Sequence, residues 1–213
     1  MLKDFERKEA EDKKKLNAEI KQIREHLLGQ QQQLRDAKLP VLVLIEGWAA
    51  AGKGSLIKEL ISEIDPRFYN VVSPMIRPES EERYPFLYPY ATAIPENGKI
   101  MFLDSGWMES TVRKYLRHEI TKGEYKRRVR SVNEFERQLR DGGYLILKIF
   151  LHIEKEEQFE RLQALTDRAE TEWRVTPEDL WQHREYKRFM ESYDEFMEKT
   201  DGCVPWQDRK SVV

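Results

Sequence analysis

The stretch Val41 to Ser55, VLVLIEGWAAAGKGS, constrains this chain more than any other. Val41 to Ile45 is an unbroken apolar run rich in β-branched side chains. A run this short that leads into a glycine is expected to be a strand buried on both faces. Leu56, Ile57, Leu60, Ile61 and Ile64 then recur at helical spacing, so a helix is expected to open near Lys53. Strand, glycine-bounded loop, lysine and helix in this order make a phosphate-binding P-loop. Glycines let the backbone curl until its N–H groups point inward, the helix N-terminus adds partial positive charge, and Lys53 adds a full one. Gly47, Ala51, Gly52, Lys53, Gly54 and Ser55 are the expected phosphate-binding residues. Gly54 stands where Ser or Thr usually follows the lysine, and Ser55 comes one place later. An ordinary strand-to-helix turn carrying a surface lysine is the alternative.

The chain has 213 residues, enough for one α/β domain of moderate size. Charged residues make up 36% of it, which points to long solvated helices. Lys and Arg number 37 against 39 Asp and Glu, so bulk charge does not favour a duplex-DNA binder, although a local basic groove stays open. The single cysteine, Cys203, excludes an internal disulfide and fits a reducing cytosol. The charged N-terminus does not read as a signal peptide, and no apolar run approaches the ~18 residues of a membrane span. A cytoplasmic protein with no membrane partner and no nucleic-acid partner is the expectation.

In chain order, residues 1–38 are highly charged, with Leu16, Ile20, Ile23 and Leu27 forming a narrow apolar helical stripe. This helix is expected to lie against the body or a partner helix, with Gly29 and the following glutamines interrupting it. Tyr69–Ser73 is a short strand candidate. Residues 74–95 carry five prolines, a charged cluster (Arg77, Glu79, Glu81, Glu82, Arg83) and an aromatic cluster (Tyr84, Phe86, Tyr88, Tyr90). This loop is either a substrate wall at the sheet edge or an aromatic plug. Lys99–Asp104 (KIMFLD) is an apolar strand ending in an aspartate that can hold Mg²⁺ beside a P-loop. Residues 110–140 are helical, with a basic surface of Lys126, Arg127, Arg128, Arg130 and Arg137 interrupted by Glu134 and Glu136. Tyr144–Ile153 is the next buried strand, and His152 reads as a core or strand-end histidine. Thr176-Pro177-Glu178-Asp179 is a helix start. The arginines of residues 161–174, Arg168 and Arg174 among them, lie between two helices, where a lid closing over phosphates is expected. The fold class is therefore α/β, a P-loop kinase-like parallel sheet sandwiched by helices with a helical lid. The expected division is an N-terminal charged helix over 1–38, a P-loop domain over 39–206 with its lid at about 155–180, and a tail over 207–213.

Three stretches carry a resemblance to a known family. They are EGWAAAGKGSLIKELISEIDPRFYNVV, PFLYPYATAIPENGKIMFLDSGWM and NEFERQLRDGGYLILKIFLHIEKEEQFERL, followed by WRVTPEDLW and the terminal VPW. From Leu16 to Trp206 the chain resembles polyphosphate kinase 2. The resemblance implies a P-loop kinase fold with a helical lid, and Mg²⁺-dependent phosphoryl transfer between inorganic polyphosphate and nucleoside mono- or diphosphates such as AMP and ADP, with ATP among the nucleotides bound. It also implies assembly as a homo-oligomer, a dimer or tetramer. Gly47, Gly52, Lys53 and Gly54 match the family's phosphate loop, Asp104 its metal-side aspartate, and Arg168 and Arg174 its lid.

Three charged positions of the family are missing. Ala49 stands for an aspartate, Pro89 for an arginine, and Ser105 for the arginine that usually follows the strand-tip aspartate. Losing one arginine that stabilises transition-state charge costs ~10³-fold in rate or more. Some family members carry two fused copies, one of which can be degenerate, and this sequence looks like the degenerate kind. Two functions therefore stand side by side: a polyphosphate-dependent nucleotide kinase using Lys53, Asp104, Arg168 and Arg174, and a non-catalytic module that binds phosphate or serves assembly. A P-loop kinase using ATP as donor is a third.

Overall fold

A computed structural model describes residue 2, residues 13–73 and residues 83–207. The charged cluster at Arg77, Glu79, Glu81 and Glu82 and nearly all of the tail over 207–213 lie outside those residues.

Among the described residues five parallel strands form one sheet: β1 (Val41–Gly47), β2 (Tyr69–Val72), β3 (Ile100–Asp104), β4 (Leu145–Leu151) and β5 (Trp206–Gln207). Their spatial order is β2-β3-β1-β4-β5. The central place of β1 explains its apolar run, because both of its faces are covered. Val41, Val43 and Ile45 point to one side, where Ile57 of α2 (Lys53–Ile61) and Leu34 of α1 (Lys13–Asp36) pack against them. Leu42 and Leu44 point to the other. There they meet α4 (Trp107–Leu116), α5 (Lys122–Asp141) and α8 (Tyr186–Thr200) through Met108, Val112, Val132, Phe189 and Phe196. The three layers follow from the period-two alternation of a strand buried on both faces.

Several local expectations are corrected. α1 runs unbroken across Gly29 and the glutamines to Asp36. Within its stripe Ile23 is 55% exposed, while Ile20 and Leu27 are half-buried. Contact with the body comes from Arg24, which pairs with Glu59 of α2, and from its C-terminal part. Leu34 enters the core, Gln31 accepts from the Asp65 amide at 3.4 Å, and the Arg35 guanidinium lies over Phe68. The span 110–140 divides into α4 and α5, with Thr121 capping α5. The aromatic loop contains one helical turn, α3 (Tyr88–Ala91). Tyr90 packs edge-on to Trp107 in the core, while Tyr84 and Tyr88 stack on each other outside. Its described part is thus a plug on one side and a surface on the other.

Glu136 does not belong to the basic surface of α5. It faces inward and pairs with Lys148 of β4 at 2.8 Å, both side chains fully buried. Lys148 also donates to the Thr200 carbonyl at 2.6 Å and lies over the Trp206 ring. One ammonium group thereby ties α5, β4, the end of α8 and β5 together. Burial pushes the Glu136 carboxyl up to about 7, with Lys148 opposing the shift. A lysine in the middle of a strand run was the sequence trace of this contact, because a buried charge requires a partner.

Removing one partner leaves a buried charge uncompensated. Lys148→Met is expected to lower unfolding free energy by about 3–5 kcal/mol, and Lys148→Met with Glu136→Leu to recover most of that loss. Urea denaturation of the three proteins checks it. A single variant as stable as wild type would show that the pair contributes nothing.

Candidate active site

The parallel register sets the geometry. Ile45 and Asp104 are directly opposed across β1 and β3, so the chain enters the phosphate loop two residues beyond the level of the Asp104 tip. Open parallel sheets form their crevices at this carboxyl edge.

The loop folds as its glycines require. Gly47 has φ +146°, and a Cβ there would meet the Leu151 carbonyl oxygen at 2.5 Å, so only glycine lets β1 run so close to β4. Gly52 takes φ +94° as the residue that opens α2. The amides of Lys53, Gly54 and Ser55 form the first turn of α2 and have no intrahelical acceptor. Lys53 Nζ donates to the carbonyls of Gly47 and Trp48, both at 3.2 Å, which holds it across the mouth of the loop. Ala51 turns the other way: its amide donates to the Trp48 carbonyl at 3.1 Å and its methyl is buried.

Trp48 leaves the loop for the core. Its fully buried indole stacks on Tyr186 at 4.0 Å, meets Tyr193 edge-on and donates to His152 Nδ1 at 3.1 Å. His152 is therefore a core histidine. A polar chain holds the next residue. Gln182 of α7 (Pro177–Arg184) accepts from the Ala49 amide at 2.8 Å and donates to the Tyr193 hydroxyl at 2.9 Å. Gln158 of α6 (Lys155–Thr166) donates to Gln182 at 3.0 Å and to the Ala49 carbonyl at 3.3 Å. Arg161, also on α6, reaches the Ala50 and Ala51 carbonyls at 3.4 Å. The helices expected to form a lid are in this way fastened to the phosphate loop.

Below the loop lies a buried acidic pair that sequence reasoning missed. Glu46 is fully buried at the end of β1. Its carboxyl accepts from the Met108 amide at 2.9 Å and the Glu109 amide at 3.3 Å, capping α4. Burial pushes its pKa up to about 8, with Glu109 adding to the shift and the Met108 and Gly106 amides and Lys53 opposing it. Burial likewise opposes ionisation of Glu109, but Lys53, Arg113 and Ser105 outweigh it and hold that carboxyl below its usual range. Arg113 pairs with Glu109 one turn along α4. The half-buried Asp104 is raised by desolvation, against the pull of Lys53. Ser105 turns the chain at φ +67°, and a Cβ at Gly106 would meet Leu44 Cδ1 at 2.2 Å. The only sequence trace of Glu46 is a carboxylate adjoining a strand otherwise wholly apolar.

Of the expected residues, Gly47, Gly52, Lys53, Gly54, Ser55 and Asp104 come together at the sheet edge. Arg168 and Arg174 do not join them. Both are exposed beyond α6, where the Arg168 carbonyl caps a turn and Arg174 lies over Trp173 at 5.4 Å. Arg161 is the arginine that reaches the loop. At the three altered family positions, the Ala49 backbone is bound to Gln182, Ser105 sits in the left-handed turn, and Pro89 lies in the first turn of α3.

A family model described as polyphosphate kinase 2 matches residues 10–211. An AMP/ADP-polyphosphate phosphotransferase of Meiothermus ruber is 29% identical over 192 residues, covering 90% of this chain and 70% of that protein. A polyphosphate:AMP phosphotransferase of Pseudomonas aeruginosa is 30% identical over 198 residues, covering 92% of this chain but only 40% of that protein. The fold matches the crystal structure of polyphosphate kinase 2 from Arthrobacter aurescens with TM-score 0.83 at 24% identity, over 88% of this chain and 69% of that one. It matches a putative polyphosphate kinase 2 structure from P. aeruginosa with TM-score 0.87 at 23% identity, over 93% of this chain and 43% of that one.

Glu46 gives the site a pH signature. Between its unfolded value near 4.5 and its folded value of about 8, the folded protein holds a proton that the unfolded chain has lost. Stability must therefore fall as pH rises through that window, by at most about 1.4 kcal/mol per pH unit from this group. Glu46→Gln cannot ionise, so its stability relative to wild type is expected to improve steadily from pH 5 to 8. Denaturant midpoints across that range check it, and parallel curves would refute the assignment.

Proposed function

The chain belongs to the polyphosphate kinase 2 family, whose model spans residues 10–211, and on that premise we propose that it transfers a phosphoryl group between inorganic polyphosphate and a nucleoside mono- or diphosphate, AMP or ADP. The observation that carries this reading is the position of Lys53. Its ammonium lies across a glycine loop at a helix N-terminus, opposite the strand tip bearing Asp104.

An arriving phosphate offers Lys53 Nζ a full anionic partner in place of two neutral carbonyls, and charge-assisted bonds are the stronger. The amides of Lys53, Gly54 and Ser55 hold the same phosphate from below, and the dipole of α2 adds to the attraction. Gly47 and Gly52 shape the loop, and Ala51 braces it through its bond to Trp48. The protonated Glu46 caps α4 without placing a second negative charge beneath the phosphate, and so steadies the turn that carries Asp104. Arg161 keeps the lid against the loop, while Arg168 and Arg174 remain free to close on a polyanion from outside. Little covalent chemistry falls to the protein in such a transfer, which proceeds by positioning and charge neutralisation.

Mg²⁺ fits what the site offers. It keeps several waters and takes one or two carboxylates together with phosphate oxygens. Asp104 supplies one such carboxylate, and among the described residues no group of three His, Cys, Asp or Glu forms a closed cation cage. Asp104 would hold the ion, which when bound neutralises charge developing on the transferred phosphate. A cytoplasmic setting and assembly as a dimer or tetramer accompany this reading; among the described residues no helix is long and apolar enough to cross a membrane.

A second reading is favoured by the Ala49 amide, which Gln182 binds at 2.8 Å, and by the lack of charge at Ala49, Pro89 and Ser105. On that reading the chain is a phosphate-binding or assembly module beside an active copy.

Phosphotransfer with polyphosphate, Mg²⁺ and AMP or ADP decides between them. Turnover at about 1–100 s⁻¹ that falls by about 10²-fold or more in Lys53→Ala supports the kinase. Absent turnover with Lys53-dependent polyphosphate binding supports the module. Binding that ignores Lys53 would remove both.

A further inference from the structure

Side chains from beyond β4 hold the carbonyls of three successive loop residues. Gln158 Nε2 donates to the Ala49 carbonyl at 3.3 Å, and Arg161 donates to those of Ala50 and Ala51 at 3.4 Å. Arg161 is itself steadied by Glu157 at 2.6 Å. A trans peptide is planar, and its C=O and the N–H of the following residue point in opposite directions. The N–H groups of Ala50, Ala51 and Gly52 are therefore turned away from α6. That of Ala51 is spent on the Trp48 carbonyl. Those of Ala50 and Gly52 have no hydrogen-bond partner among the described residues.

Ala50 lies in the middle of this arrangement with φ +59°. A residue with a Cβ enters the left-handed region at a cost in energy, and it stays there only where its surroundings enforce it. The enforcing groups are buried and paired. Gln158 and Gln182 are 0% and 4% exposed. Gln182 Oε1 accepts from the Ala49 amide at 2.8 Å and from Gln158 Nε2 at 3.0 Å, and Gln182 Nε2 donates to the Tyr193 hydroxyl. Gln158 Oε1 meets His183 Nδ1 at 3.1 Å. Every oxygen and nitrogen of the two amides is thus engaged, and a satisfied buried network holds one arrangement. Apolar side chains of the same length would fill this space without the cost of burying amides, but they could not grip the N–H and C=O of Ala49.

Resting on the phosphate site that the kinase and module readings share, we propose that Gln158 and Gln182 are positioning residues for the bound phosphate. They act through the backbone. Together with Arg161 they keep the carbonyl oxygens of Ala49, Ala50 and Ala51 turned from the anion, and they aim the N–H groups of Ala50 and Gly52 at it. Gln158 belongs to α6 and Gln182 to α7. The loop therefore takes its phosphate-binding form only while both of those helices are seated against it.

The test compares wild type, Gln158→Met, Gln182→Met and Lys148→Met for tripolyphosphate binding and for phosphotransfer from polyphosphate to AMP or ADP, per mole of folded protein. Lys148→Met controls for lost stability, because Lys148 holds Glu136, Thr200 and Trp206 and no loop residue. Each glutamine variant is expected to bind tripolyphosphate about 10-fold more weakly. Its kcat is expected to fall by about 10-fold or more, with the nucleotide KM within about twofold of wild type, because misplacing a reacting group acts on the transition state. Lys148→Met keeps all three values within about twofold of wild type. Glutamine variants that behave like Lys148→Met overturn the proposal. Hydrogen exchange in the wild-type protein tests it without any substitution. Tripolyphosphate is expected to slow exchange of the Ala50 and Gly52 amides by about 10-fold or more and to leave Ala49 unchanged. Slowing confined to Lys53, Gly54 and Ser55 overturns the proposal and leaves the phosphate site intact. Tripolyphosphate binding without turnover removes the kinase reading, and the binding and exchange results then decide on the glutamines. A wild-type protein that binds no tripolyphosphate removes both the site and the proposal.

Discussion

The burial of Trp48 is the interaction on which the rest of the site depends. A phosphate loop must be accessible, yet it must also hold one conformation. Here the second residue of the loop supplies the fixed end, inserting its indole between Tyr186 and Tyr193 with its N–H on His152. Burying a side chain of that size is worth roughly 4–6 kcal/mol of transfer free energy. The adjacent Ala49 amide is then within reach of Gln182, and Arg161 within reach of the Ala50 and Ala51 carbonyls. The loop is anchored from behind, and its open side carries Lys53 and the first turn of α2.

Charge is distributed around this anchor with care for desolvation. Glu46 and Glu109 lie close together in the core, where two ionised carboxylates would repel strongly. The structure separates their roles: Glu46 accepts amides and retains its proton, while Glu109 stays ionised against Arg113. With Glu46 neutral and Glu109 paired, less negative charge crowds Lys53, and Asp104 stays the half-buried carboxylate at the strand tip. On the same face of the sheet the Lys148–Glu136 pair ties α5 to β4 and serves the fold, not the site.

Much of this was legible in the sequence for particular reasons. The apolar run Val41–Ile45 pointed to a central strand, because it is short, rich in β-branched residues and ends at a glycine. The glycines and Lys53 marked the loop by their conformational and charge requirements, and the Thr176 cap appears as a full capping box with Asp179. The boundaries of α1 were not legible, since a glycine in a helix costs only about 1 kcal/mol and the surrounding residues carry the helix across it.

What the sequence alone determined is the order of strand, loop, lysine and helix that a P-loop-like fold requires, since these follow from local periodicity and backbone permissiveness. Tertiary structure alone decided which long-range partners complete the site. Glu46 and Glu109 meet only because β1 and the start of α4 converge. Gln182 reaches Ala49 across 133 positions. Arg161, and not Arg168 or Arg174, touches the loop because α6 springs directly from the end of β4. Hydrogen bonds and ion pairs between distant segments depend on how the layers pack, and packing leaves no period in the sequence from which to read them.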